Sequence, residues 1–122
     1  MNYKTFRILL FAYMLLILSI SSLPGQSLPK TWILTWDKVI HLVEYFFLGI
    51  LMMKSTNPLS SSNLKFVIPF GIFFGVMDEY SQSFISGRFS SGWDVVADTI
   101  GVVIGALLIL GIRKNSKNLT CL

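Results

Sequence analysis

Charge is sparse in this 122-residue chain: 13% of it is Asp, Glu, Lys or Arg, against about 25% in a soluble domain. Hydrophobic residues make up 53% and mean hydropathy is +0.68, which turns the expectation from a soluble protein to one small membrane unit, residues 1–122. There is one cysteine, Cys121. It excludes an internal disulfide and leaves the redox compartment open. No internal repeat or low-complexity tract is evident, so nothing points to a repeat array. The ten basic residues give a net charge of +4. They lie beside apolar runs and do not form the clustered stripe of a nucleic-acid groove, which excludes that class of partner.

What is present is four apolar runs, at residues 8–23, 39–53, 64–77 and 95–112. A membrane helix needs about 20 residues. The second and third runs reach that length only when their polar ends continue the helix, with the charges turned away from lipid. The expected fold is all-α, a bundle of four transmembrane helices at about 6–23, 35–54, 63–82 and 93–113. The connections between them carry proline, glycine and serine (PGQSLPK, STNPLSSSN, SGRFSSG) and read as loops. The first run has the basic start and short apolar core of a signal peptide, but no A-x-A-like cleavage site follows it.

Lysine and arginine set the orientation. With four spans, the N-terminus, the second connection and the C-terminus share one side. That side holds Lys4, Arg7, Lys54, Lys65, Arg113, Lys114 and Lys117, while the other has Lys30, Lys38 and Arg88. Both termini are therefore expected in the cytoplasm, in a multi-pass membrane protein. All six acids (Asp37, Glu44, Asp78, Glu79, Asp94 and Asp98) fall on the opposite side or in the outer half of a helix. The positive-inside rule does not require this, because acids contribute little to topology.

Helical spacing brings these acids together. Asp37, His41, Glu44 and Tyr45 sit at i, i+4, i+7 and i+8 and share one helix face. Glu79 and Gln82 lie at the outer end of the third helix, as does Asp78. Asp94 and Asp98 are four apart on the fourth, and Gly101 and Gly105 continue their face and favour close helix packing. Arg88, in the connection between the third and fourth helices, offers a planar fork for a carboxylate or an anionic substrate group.

Ionisable groups inside a membrane segment point to function. His41, Glu79 and Asp94 are the candidate catalytic residues. Burial and like charges bring carboxylates into the range for general acid–base work. Arg88, Gln82, Tyr45, Asp37 and Asp98 are the candidate substrate-binding residues. His41 with nearby acids is a ligand set that suits Mn, Mg or Zn. However, no tight signature such as H-E-x-x-H is present and no metal is assigned; the cofactor is unknown. The serines at 81, 83, 86, 90 and 91 lack a nucleophile-elbow pattern.

A structural alternative is a polar network that only fixes helix register. In it Asp94 acts as a first-turn acid, Lys38 snorkels and Trp32, Trp36 and Trp93 anchor the interface.

The segments DKVIHLVEYFFLG and EYSQSFISGRFSSGWDVVADTIGVVIG resemble the VanZ-like family of small bacterial membrane proteins. The likeness rests on Asp37, His41, Tyr45, Leu48 and Gly49, on Glu79 and Gln82, on Arg88, Ser91 and Asp94, and on Gly101 and Gly105. It is strongest over residues 37–105. Asp98 departs from the family pattern, which usually has Asn there; the extra carboxylate favours a cation or changes the partner of Arg88.

The resemblance implies a polytopic membrane protein, and the family's namesake is linked to resistance against teicoplanin-type glycopeptides. The expected ligand is an envelope component, a lipid-linked saccharide or a lipophilic glycopeptide antibiotic, either modified or simply bound and shielded. A small transporter is a further alternative, disfavoured by the apolar inner halves of the helices.

Overall fold

The computed structural model describes residues 2–22, 37–85 and 92–120. Among these residues the chain is helical, with no strand. The order is α1 (Tyr3–Ser21), α2 (Asp37–Lys54), a 3-10 turn (Ser61–Asn63), α3 (Leu64–Gln82) and α4 (Gly92–Thr120). At 1.5 Å per residue, α1, α2 and α3 run about 27–29 Å and α4 about 43 Å. The hydrocarbon core of a bilayer is about 30 Å thick.

The helix ends follow local chemistry. Asn2 caps α1 by accepting from the Thr5 N–H at 3.0 Å, which satisfies one of the four N–H groups a helix start leaves open. This cap starts α1 at Tyr3, three residues before the sequence expectation. Asn63 donates to the Pro58 carbonyl at 2.6 Å and closes the turn before α3. At its far end α4 runs past the expected residue 113 to Thr120. Neither Gly nor Pro interrupts the basic tail, and Arg113, Lys114 and Lys117 complement the carbonyl end of the helix dipole.

α2 and α4 form the main helix pair, with α3 against α4 and α1 against α2. Small residues let the first pair approach closely. A Cβ built on Gly101 would lie 2.5 Å from the Leu42 carbonyl oxygen, and one on Gly105 would strike the Phe46 carbonyl. This is the close packing expected of that face.

Each of the last three helices buries one stripe. On α2 it runs through His41, Tyr45, Leu48 and Met52. On α3 it runs through Val67, Phe74, Asp78, Glu79 and Gln82, and on α4 through Asp94, Asp98, Val102, Ala106 and Ile109. The steps of three and four residues are those of a helix face. The opposite faces are apolar and exposed: Phe11 and Leu15 on α1, Phe47 on α2, Phe66 and Phe73 on α3, Ile104 and Leu107 on α4. Apolar patches of this extent mark a surface built to meet something other than water.

Two helices are long and apolar enough to cross a membrane, Tyr3–Ser21 and Gly92–Leu119, which suggests a membrane protein. α2 and α3 carry more charge, through Asp37, Lys38, Glu44 and Lys54 on one and Lys65, Asp78 and Glu79 on the other. Composition alone therefore does not mark them as spans.

Candidate functional site

The buried stripes change character along their length. Toward the C-terminal ends of α2 and α4 and the start of α3 they are apolar: Leu48, Met52, Met53, Val67, Val102, Ala106 and Ile109. Toward the other end they are polar: His41, Asp78, Glu79, Gln82, Asp94 and Asp98, all buried. The N-terminal ends of α2 and α4 thus meet the C-terminal ends of α1 and α3 around a polar core. Two helix N-termini there favour negative charge.

The deepest layer joins three helices. His41 Nδ1 lies 2.8 Å from Asp98 Oδ1, with the two side chains 4% and 1% exposed. Four residues along α2, the Tyr45 hydroxyl donates to Asp78 Oδ2 at 3.2 Å. The His41 and Tyr45 rings stack with centroids 6.5 Å apart, and the Tyr45 ring packs on Phe74. Asp98 can approach α3 because Gly75 faces it: a Cβ at that position would lie 3.1 Å from Asp98 Oδ2. Asp78 is three residues beyond Gly75 and so shares its face. His41, Asp78 and Asp98 each offer a ligand atom within 4.8 Å of the others.

One turn toward the helix ends lies a second layer. Lys38 Nζ donates to Asp94 Oδ1 at 3.0 Å. The Asp94 side chain is fully buried, whereas that of Lys38 is 55% exposed. Lys38 therefore carries charge from the surface to a buried carboxylate; it does more than snorkel to the interface. Gln82 Nε2 donates to Ser21 Oγ at 3.2 Å, which ties α3 to α1. Glu79 is buried beside Asp78 on the α3 stripe.

Of the residues expected to form a site, His41, Tyr45 and Asp98 meet in the deep layer. Asp94 and Gln82 lie in the outer layer, each with a partner that sequence reading had not given it. Asp37 opens α2, and its side chain lies outside the described residues, as does the whole of Arg88. Trp32 and Trp36 also lie outside them, while Trp93 is exposed at the start of α4. Glu44 is only half-buried, and Tyr13 of α1 donates to its backbone carbonyl at 2.8 Å.

Asp78 is the main residue that sequence reasoning passed over as a site candidate. Its signal was present: Gly71 and Gly75 precede it at the four-residue spacing that lets helices approach closely.

The family described as VanZ/LLP1 matches residues 2–113 of the chain. No curated protein and no solved structure matches it.

Proposed function

The chain belongs to the VanZ/LLP1 family, and we propose that it is a multi-pass protein of the bacterial cytoplasmic membrane that recognises or modifies a cell-envelope component. In this reading all four helices span the bilayer, both termini are cytoplasmic, and the polar end faces outward. The ligand is a lipid-linked saccharide or a lipophilic glycopeptide. His41, Glu79 and Asp94 are its reactive or orienting groups. Arg88 binds an anionic group, with Gln82, Tyr45, Asp37 and Asp98 completing the contacts.

The observation that supports this reading is the inverted polarity: apolar faces outside, and a buried core that turns from apolar to ionisable at one end only. Buried ionisable groups are costly in a membrane segment and concentrate where ligands or protons are handled. Helix packing alone asks for less, since the apolar half of the same stripes packs without them. That apolar half also tells against a transporter, which needs a polar path through the bundle.

A second reading, binding and shielding without chemistry, draws support from Asp94 and Gln82, whose side chains already have partners on α2 and α1. Reconstituted protein supplied with a polyprenyl-linked saccharide, and separately with a teicoplanin-type glycopeptide, tests both. Saturable binding that Arg88→Ala weakens at least tenfold is expected. Product formation would identify an enzyme, and binding without product a shield. Absence of binding to either ligand would refute the proposal.

A further inference from the structure

We infer that His41, Asp78 and Asp98 form a binding site for one divalent cation of the Mn²⁺ or Zn²⁺ type. The site brings one imidazole and two carboxylates from three different helices into one buried layer, each with a ligand atom within 4.8 Å of the others. Two ligands bonded at about 2.1 Å lie about 3.0 Å apart at the right angle of an octahedral ion and about 3.4 Å apart on a tetrahedral one. The 2.8 Å hydrogen bond between His41 Nδ1 and Asp98 Oδ1 already holds the two atoms near the octahedral spacing, and an ion that takes both as ligands replaces the shared proton.

A second observation points the same way. Asp98 is 1% exposed, and its other oxygen, Oδ2, is buried without a hydrogen-bond partner among the described residues. That oxygen points to α3 at Gly75, on the face that carries Asp78. A buried carboxylate oxygen without a donor is costly, and a cation there supplies what no described side chain does.

The donor chemistry narrows the ion. A nitrogen ligand disfavours Ca²⁺ and Mg²⁺, which prefer all-oxygen shells. A mixed imidazole and carboxylate set suits Mn²⁺ and Zn²⁺, with Zn²⁺ the tighter binder in the usual affinity order. Two carboxylates and a neutral imidazole bear two negative charges, which a divalent ion balances. Three protein ligands leave a coordination position open, as catalytic zinc sites do. Tyr45, which donates to Asp78 Oδ2, is the outer residue that orients one ligand.

This inference deepens the proposed reading of the same site, but its test uses no envelope ligand, so either can fail alone. His41 is the only histidine in the chain. Tag-free protein labelled with 15N-histidine therefore carries its label at His41 alone. Titrated with Mn²⁺ in detergent, it is expected to bind one ion per chain and to show a 15N hyperfine coupling to the manganese, with Zn²⁺ displacing it. Asp78→Asn and Asp98→Asn are each expected to weaken Mn²⁺ binding at least about tenfold. Wild-type protein with no 15N coupling would overturn the inference, as would Mn²⁺ affinity unchanged in both variants. The wild-type spectrum decides the question even where a variant does not fold.

Discussion

At the residue scale the site is a set of buried polar contacts around Tyr45. Its side chain is fully buried, its ring packs between His41 and Phe74, and its hydroxyl reaches Asp78. Tyr45→Phe keeps the ring and deletes the donor to a buried carboxylate. It is expected to destabilise the folded protein by about 1–2 kcal/mol, read as a lower melting temperature in detergent with the helix content of the folded state unchanged. A variant as stable as wild type would show that the hydroxyl adds nothing to Asp78.

The residues of this layer were legible in the sequence to different degrees. The i, i+4 spacing of His41 and Tyr45 made their shared buried face legible, whereas Glu44, expected on the same face, is only half-buried. The pairing of His41 with Asp98 was not legible, because it joins residues 57 positions apart and depends on the register of α2 against α4. Lys38 misled for a related reason: a long basic side chain near a helix end suits the interface equally well, and only the register shows Asp94 within its reach.

At the scale of elements, the main interface depends on glycine. Gly101 and Gly105 place the α4 backbone against Leu42 and Phe46 of α2. Nothing lies within 4 Å of a Cβ built at Gly111 on the same helix. Gly101→Ala and Gly105→Ala are therefore expected to push α2 and α4 apart at a cost of about 1–3 kcal/mol each. Gly111→Ala is expected to be neutral or to stabilise by up to about 1 kcal/mol through helix propensity. Thermal unfolding of the three variants checks the contrast, and equal effects at all three sites would contradict it. Element positions followed from apolar runs and loop chemistry, and α3 ends at Gln82 as expected. The ends that moved did so through features without an apolar signal: the Asn2 cap of α1 and the polar, basic extension of α4.

At the scale of the whole molecule, the fold sorts its polarity by position. Basic residues gather at one end, where Arg7 donates to the Ser55 carbonyl and Lys54 lies over the Phe6 ring. Buried acids gather at the other, where His41, Asp78, Asp94 and Asp98 share the core. In the proposed function this acidic end handles an envelope ligand and does more than pin the helices in register. A structural network predicts that substitutions there lower the amount of folded protein and change nothing else. A working site predicts loss of function at full abundance. The most direct test is glycopeptide susceptibility in cells that depend on this protein, with His41→Ala, Glu79→Ala, Arg88→Ala and Asp94→Ala compared at matched membrane levels. Under the proposed function each variant abolishes the protein's effect on susceptibility while its membrane level stays at that of wild type. Wild-type susceptibility in all four would contradict it.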